Sequence, residues 1–173
     1  REEGFAVFVV DNTNRTEARY WIDDFLRVRQ RQDNYHNTHN TLAMCKKYVT
    51  KHLSKEFEVS KADQAELLNE TMKYFQEQES FSMDDFSEKV IRQPEVVESF
   101  TRFRQEYEQD RDIRIEDEFG ISDSAVKKQA RSYKSVIKLD RNFHIYVHGN
   151  RNLLEQGEDE KGKFYKVYYE EEE

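Results

Sequence analysis

The chain has 173 residues, a length that normally forms one domain with a core of its own. Its charged fraction of 37% is high for a globular protein, but 13% aromatic residues exclude a disordered chain. The formal net charge is -8 at pH 7, and the single cysteine, Cys45, excludes an intramolecular disulfide. No apolar run is long enough to cross a bilayer. We therefore expect a single cytoplasmic domain over residues 1-173, with no membrane partner.

The start of the chain predicts a strand and a short helix. Residues Phe5 to Val10 (FAVFVV) are continuously apolar, which predicts a strand within residues 1-12 that is buried on both faces. Four apolar residues then follow at helical spacing: Tyr20, Trp21, Phe25 and Leu26. The polar stretch RVRQRQDNYHNTHNT predicts a loop. Because the chain begins at Arg1 close to a strand, we expect it to be the later part of a longer polypeptide.

Residues 17-133 are predicted to be mostly helical because apolar residues recur at spacings of three and four. The four stripes are Leu42, Cys45, Val49 and Leu53; Ala65, Leu68, Met72 and Phe75; Met83, Phe86 and Val90; and Val96, Phe100, Phe103 and Tyr107. Start signals precede three of them: Ser60 with Asp63 resembles a capping box, Ser82 with Asp85 repeats it, and Pro94 suits a first helical turn. We expect these stripes to form the core.

Ser122 or Asp123 can cap a last helix whose two faces differ. Its apolar face carries Val126, Ala130 and Tyr133. Its opposite face carries Lys127, Arg131 and Lys134. One side is therefore expected to pack and the other to be cationic.

Residues 134-170 are predicted to form antiparallel strands. Alternating apolar residues on both sides of Asp140, Arg141 and Asn142 predict a hairpin with a three-residue loop, in which Asn142 is left-handed. A two-residue loop would instead set Lys138 opposite Ile145 and mix the two faces. A third strand, KFYKVYY, follows Gly162, and Glu170 to Glu173 (residues 170-173) are expected to form an acidic tail.

The hairpin register assigns each side chain to a face. Five apolar residues are expected to face a core: Ile137, Leu139, Phe143, Ile145 and Val147. Five others are expected to share the opposite face: Lys134, Lys138, His144, Tyr146 and His148. The predicted fold class is α+β, with a helical middle segment packed against an antiparallel sheet of C-terminal hairpin strands, joined by the N-terminal strand.

The sequence favours neither a metal site nor an enzyme. His36 with His39, and His144 with His148, are the closest histidine pairs, but a structural zinc site needs about four ligands and Cys45 supplies no thiolate pair. There is no G-x-S-x-G, H-E-x-x-H or Walker A motif. We therefore predict no cofactor and no catalysis, while a nuclease built on scattered carboxylates stays an alternative.

The strongest feature is a basic segment from Ala125 to Arg151, which carries seven Lys or Arg against one Asp. Lysine and arginine hold a polyanion through its phosphates, and Tyr146 or His144 could add stacking contacts. The candidate phosphate contacts are Lys127, Lys128, Arg131, Lys134, Lys138 and Arg141. The alternative is a solvated face, or one whose cations are ion-paired with the acidic helices. A second basic cluster, Arg27, Arg29 and Arg31, lies in the predicted loop.

Several blocks of the chain resemble the C-terminal part of the bacterial 37-kDa nucleoid-associated protein family. They are ARYWIDDFL, RQDNYHNTHNTLAMCKKYVTKHL, FEVSKADQAELLNETMKYF, FSMDDFSEKVI and VKKQARSYKSVIKLDRNFHIYVHG. The resemblance implies a nucleoid protein that binds double-stranded DNA without an established reaction, and whose full-length members have an N-terminal part absent here. The family has no accepted list of DNA-contacting residues, so the six candidates rest on the charge pattern alone.

These observations predict nonspecific binding of double-stranded DNA, within the nucleoid, through a basic helix and hairpin face. The alternative is a protein interaction or dimerisation module that supports a DNA-binding N-terminal half. Its partner would then be a second copy of the chain or a DNA-processing protein.

Overall fold

Helices make up most of the structure, a computed structural model that describes Val7, Phe25 and residues 32–133, 136–147 and 151–171. Contacts divide the chain into two units, Arg1–Gln32 and Asp33–Glu173. The single-domain organisation stays a prediction. The predicted strand and helix before residue 27, and the cluster Arg27, Arg29 and Arg31, lie outside the described residues except for Val7 and Phe25. Both of those side chains are exposed, so the predicted burial of Val7 is wrong.

The second unit begins with helices and ends with strands. Its helices are α1 (Asn34–Lys47), α2 (Leu53–Glu56), α3 (Lys61–Glu77), α4 (Met83–Phe86), α5 (Pro94–Arg111) and α6 (Asp123–Ala130). Single π-helical turns, Tyr48–His52 and Ser87–Ile91, follow α1 and α4, and a 3-10 turn spans Arg151–Leu153. The strands are β1 (Ser80–Ser82), β2 (Glu118–Gly120), β3 (Val136–Leu139), β4 (Phe143–Tyr146), β5 (Leu154–Asp159) and β6 (Gly162–Val167). No helix in the described ranges is long and apolar enough to span a membrane.

The predicted loop is wrong from Asn34 onward, where α1 begins. The Asp33 side chain accepts a hydrogen bond of 2.9 Å from the His36 backbone N–H and so caps the helix. Asn37, Thr38 and Thr41 are buried on α1 although they are polar. Their polarity hid the helical stripe from the sequence pattern.

The predicted helix starts at Ser60 and Pro94 are confirmed. Ser60 Oγ accepts a hydrogen bond from the Asp63 N–H, and the Asp63 carboxylate accepts one from the Ser60 N–H, so the capping box before α3 is complete. Pro94 is the first residue of α5. Ser82 and Ser122 occupy the N-cap positions of α4 and α6, but neither side chain caps its helix with a hydrogen bond, so the capping box predicted at Ser82 and Asp85 is wrong.

The predicted apolar stripes form one core, except for Ala65, which belongs to a second cluster. All their residues are buried except Met83, which is half buried and packs against the others. Phe81 of β1 and Phe119 of β2, which the sequence did not assign to strands, are paired across a short antiparallel ladder. The Phe81 ring stacks on Phe119 at 4.8 Å and on Phe75 of α3 at 5.4 Å. The β1–β2 pair therefore joins the helices at an aromatic centre.

The α+β fold class is confirmed, and the described strands form three separate antiparallel pairs. A second, smaller cluster joins α3 to the C-terminal strands. Its buried members are Ala62, Ala65, Ile137, Val147 and Leu154. The helical segment thus packs against the hairpin strands, as predicted.

The β3–β4 register is confirmed, since Ile137 lies opposite Ile145 and Lys138 opposite His144. Two details are wrong. The left-handed residue is Asp140, with φ of 45°, instead of Asn142; the Asp140 carboxylate accepts a 2.9 Å hydrogen bond from the Asn142 N–H and holds the loop.

The second error is Phe143, which was expected to face a core. Its side chain is 66% exposed because it follows the loop directly and does not join the cluster with α3. Ile137 and Val147 are buried, while Leu139 and Ile145 are half buried. Lys138, His144 and Tyr146 are exposed, and Lys134 and His148 lie outside the described residues.

The third predicted strand corresponds to β6, and it pairs with β5, which the sequence analysis missed. The register sets Leu154 opposite Val167 and Glu155 opposite Lys166. Leu154 is buried in the smaller cluster and Tyr165 packs against it. One face of this hairpin is thereby attached to α3.

Phe81→Ala should lower the free energy of unfolding by about 3–5 kcal/mol, because it removes a buried ring from the aromatic centre and leaves a cavity. Urea denaturation measures this loss. The matched control is Phe143→Ala, which removes an exposed ring and should change stability by no more than about 0.5 kcal/mol. Equal losses in the two variants would contradict the assigned core.

Candidate nucleic-acid interface

The helix α6 is amphipathic in the way the sequence predicts. Ala125 and Val126 are buried, and α6 contacts α1 and α3. Lys127 and Lys128 are exposed in its last turn, and Arg131 is exposed just beyond it. The structure therefore places three of the six candidate cations along one exposed side of a short helix.

Hydrogen bonds to α1 hold the chain on both sides of α6. The Ser122 N–H, at the start, donates to Thr38 Oγ1 at 3.0 Å. The Tyr133 hydroxyl, beyond the end, donates to the Leu42 carbonyl oxygen. Tyr133 is buried, and burial raises its pKa well above the ordinary value, so the phenol keeps the proton that it donates. These bonds fix the helix on which the candidate cations lie.

Two side chains of α1 contact the polar side of α6. Lys128 Nζ donates to the Tyr35 hydroxyl at 3.3 Å and lies 6.0 Å from the centre of its ring. Gln129 Nε2 lies 2.9 Å from His39 Nδ1, and the His39 ring is nearly parallel to that of Tyr35, with centroids 6.3 Å apart. The sequence analysis missed Tyr35 and His39 because it placed them in a loop. Their spacing of four residues is a helical signal that was available.

The remaining described candidates lie on the β3–β4 hairpin. Lys138 is exposed on β3 opposite His144, and Arg141 is exposed in the loop. Tyr146 is exposed on the Lys138 side of the hairpin. Both α6 and β3 contact α3, which is their common neighbour. Lys134 lies outside the described residues.

The candidate cations of α6 and of the β3–β4 hairpin differ from the arginines of α5 in their ion pairs. Arg104 lies 3.2 Å from the Glu108 carboxylate and 2.6 Å from that of Asp117. Arg102 is paired with Glu56 and Glu98. By contrast, Lys127, Arg131, Lys138 and Arg141 form no ion pair with any carboxylate in the part of the chain that the structure describes. Ion pairing to the described acidic helices therefore does not account for these four cations.

The end of α6 offers a structural reason for Lys127 and Lys128. The last carbonyl groups of a helix carry partial negative charge, and cations in the last turn stabilise it by about 0.3–1 kcal/mol. This reason does not extend to Lys138 and Arg141, which lie on the hairpin.

His36 and His39 have structural partners, and Cys45 is buried in the core. His36 Nδ1 lies 2.8 Å from the Asp33 carboxylate, and His39 contacts Gln129. Cys45 is buried, and burial raises its pKa far above the usual value, which keeps the thiol protonated. Within the described ranges, no three His, Cys, Asp or Glu side chains are grouped so that they could hold a metal ion.

Comparison with protein families gives a match over nearly the whole chain. The family model NA37, described as nucleoid-associated protein YejK, matches residues 1–172. The chain therefore belongs to this family of nucleoid-associated proteins, in agreement with the resemblance seen in the sequence. No curated protein and no solved structure matches the chain.

Tyr133→Phe should lower the free energy of unfolding by about 1–3 kcal/mol, because the Leu42 carbonyl then loses its buried donor. Urea denaturation tests this, with Tyr169→Phe, at an exposed tyrosine, as the matched control. The control should leave the free energy of unfolding unchanged. A loss of the same size in the control would contradict the anchoring role of the Tyr133 hydroxyl.

The raised pKa of Tyr133 also predicts a loss of stability in alkali. The unfolded chain releases its phenol proton near the ordinary pKa of 10.0, whereas the folded protein keeps it. Stability should therefore fall as the pH rises past about 10, and Tyr133→Phe should make this fall shallower. Denaturation curves at increasing pH provide the measurement, and an unchanged slope in the variant would contradict the prediction.

Proposed function

We propose that this member of the NA37 family binds double-stranded DNA without sequence preference and without catalysis. The contact surface, here called the DNA face, consists of Lys127, Lys128, Arg131, Lys138 and Arg141, together with Lys134. The site of action would be the nucleoid, and hence the cytoplasm. The proposed domain organisation is a single domain that acts as the C-terminal part of a longer protein.

The observation that carries the proposal is the grouping, between residues 127 and 141, of four exposed cations that have no ion-pair partner among the described residues: Lys127, Arg131, Lys138 and Arg141. A cation that is already paired with a carboxylate must give up that pair to bind a phosphate. An unpaired lysine or arginine gives up only water, and each phosphate it neutralises releases condensed counterions from the DNA. The DNA face is therefore better suited to a polyanion than the ion-paired arginines of α5.

The chemistry of the face supports binding without sequence preference. Lysine and arginine contacts to phosphates position a protein on DNA but carry no information about the bases. The exposed Tyr146 and His144 share a face of the hairpin with Lys138, and a ring on that face could pack against the sugars. The cations of the DNA face lie in two groups, one at α6 and one on the β3–β4 hairpin. Neither group contains a cluster of Asn or Gln side chains, which typically recognise adenine.

The net charge of -8 does not prevent this function, because charge repulsion is local in salt. The screening length is about 10 Å at 0.1 M ionic strength, so carboxylates on distant surfaces repel a bound phosphate weakly. The acidic surface would still disfavour DNA in other orientations. Such a protein should bind through one side only.

Absence of catalysis is part of the proposal because the sequence carries none of the nucleophile or phosphate-loop motifs of hydrolases. The family description names an association with the nucleoid and no reaction. Plasmid DNA incubated with the protein and Mg²⁺ should remain uncut. Cleavage that disappears when one carboxylate is replaced would contradict this part of the proposal.

A second candidate function is a protein interaction or dimerisation module that supports a DNA-binding N-terminal half. The observation that favours it is a group of large apolar side chains exposed on the C-terminal strands, including Phe143, Phe164 and Val167. Its partner would be a second copy of the chain or a DNA-processing protein. In this case residues 1–173 alone would not bind DNA.

Replacing Lys127, Arg131, Lys134 and Lys138 together with Gln should weaken DNA binding similarly for unrelated sequences. None of the described three is buried, so the fold should persist. The slope of log affinity against log salt should become shallower by about one unit for each lost phosphate contact. Titrations over a salt series measure both effects.

The matched control replaces Lys51, Lys55, Lys73 and Arg114 with Gln. These four are exposed and lie away from the DNA face in sequence, and the control removes the same number of positive charges. It should leave the salt slope unchanged. If the two quadruple variants behave alike, only net charge matters, and the interaction module becomes the better account.

A further inference from the structure

The β3–β4 hairpin is attached to α3 at its base. Ile137 and Val147, which lie at the base, are buried in the smaller cluster, and the Asn69 side chain of α3 donates to the Val147 carbonyl oxygen at 3.1 Å. At the other end the three loop residues are exposed, and Phe143 beside them is 66% exposed. Burial therefore decreases from the base of the hairpin to residues 140–143, here called the hairpin tip.

Phe143 is an apolar ring in an unusual place. Among the described residues, no large side chain without a polar atom is more exposed. Its partner across the ladder, Leu139, is half buried. A single exposed apolar residue is common on protein surfaces, so exposure alone assigns no role to the ring. The charges beside it do so.

The hairpin tip combines the exposed ring with positive charge. Arg141 lies two residues before Phe143, and Lys138 lies on β3 just before the loop. Neither cation forms an ion pair with a carboxylate of the described residues. The acidic side chain of the tip, Asp140, accepts the Asn142 N–H at 2.9 Å, so its carboxylate is engaged within the loop. An anionic partner with an apolar interior would match both the charge and the ring.

A DNA duplex that opens between two base pairs is such a partner. Proteins that bend DNA insert apolar side chains, phenylalanine among them, between neighbouring base pairs from the minor groove. Arginine enters the same groove, where the negative potential is strong. An uncharged protein surface would instead leave Arg141 and Lys138 without a counter-charge in the contact. Insertion requires unstacking, which is easier in flexible or already distorted DNA.

We propose that the hairpin tip enters the minor groove and that Phe143 inserts between two base pairs and kinks the duplex. The substrate class of the DNA face is then deformable or distorted double-stranded DNA. This inference rests on the proposed function, because phosphate contacts must hold the duplex while the ring inserts. The kink should be about 20–90°. The preference concerns the shape of the duplex and not the identity of its bases.

The first experiment compares the affinity for an intact duplex of about 30 base pairs with that for the same duplex carrying an unpaired bulge at its centre. The wild-type protein should bind the bulged duplex about tenfold more tightly, because the bulge has already lost stacking that Phe143 must otherwise break. Phe143→Ala should remove this preference, whereas Phe143→Leu keeps an apolar wedge and should retain it. An equal preference in the wild-type and Phe143→Ala proteins would overturn the proposal.

The matched control is Tyr169→Ala, which removes a ring that is 69% exposed and lies outside the DNA face. It should keep the wild-type preference for the bulged duplex, and loss of the preference in this control would overturn the assignment to Phe143.

The quadruple Gln variant of the DNA face separates this inference from the proposed function. If that variant binds both duplexes like the wild-type protein, the proposed function fails. If it loses affinity for both while Phe143→Ala still prefers the bulge, the wedge alone is wrong.

The second experiment measures bending, with donor and acceptor dyes at the two ends of the intact duplex and the protein at saturating concentration. The wild-type protein should shorten the distance between the dyes. Duplex bound to Phe143→Ala should keep the distance of free DNA, because phosphate contacts alone supply no wedge. A duplex that stays straight with the wild-type protein, or that bends equally with Phe143→Ala, would sink the proposal.

Discussion

The position of the basic helix α6 depends on polar groups that are buried on α1. The Thr38 hydroxyl accepts the Ser122 N–H, and the Leu42 carbonyl accepts the Tyr133 hydroxyl. Burying a polar group raises the free energy of the folded state unless the group is hydrogen-bonded. These hydrogen bonds therefore favour one position of α6 on α1, whereas apolar packing alone would tolerate several. Gly120 adds a steric condition, because a Cβ atom there would lie 2.7 Å from Asn34 Nδ2. The orientation of Lys127, Lys128 and Arg131 follows from these contacts.

The sequence predicted the helices whose buried faces are apolar. The stripes from Leu42 to Tyr107 are buried because side chains three and four apart share a helical face, and that periodicity is visible locally. The first half of α1 was missed for the opposite reason. Its buried positions are Asn37, Thr38 and Thr41, which favour turns in isolation, and two of their hydrogen-bond partners lie about 80 residues away. Only the folded chain shows that these side chains find hydrogen-bond partners while they lie in a helix.

For the strands too, the sequence predicted only those features that depend on residues close together in the chain. The β3–β4 register was predictable because a shift of one residue would exchange the two faces of the hairpin. The choice of Asp140 over Asn142 as the left-handed residue was not, since both residue types tolerate that conformation. β1 and β2 have three residues each, too few for a pattern, and β5 shows no alternation because Leu154 is its only large apolar residue.

The candidate site was predictable as a local excess of positive charge, but the pairing state of each cation was not. Arg102 and Arg104 carry the same charge as Arg131. In the folded chain, however, Arg102 is paired with Glu56 of α2, and Arg104 is paired with Asp117, which lies just before β2. No comparable carboxylate reaches Arg131 among the described residues. The sequence therefore identified candidate cations, and the tertiary structure separates Arg131 from the arginines that are neutralised within the molecule.

The proposed function would let an acidic protein hold DNA through one side only. About six phosphate contacts would support nonspecific binding that is weak at physiological salt, on the order of 10⁻⁴ to 10⁻⁶ M. Carboxylates elsewhere on the chain, whose net charge is -8, would repel DNA only within about 10 Å at 0.1 M ionic strength. Raising the salt concentration would therefore weaken binding mainly through the phosphate contacts, because each of them releases counterions.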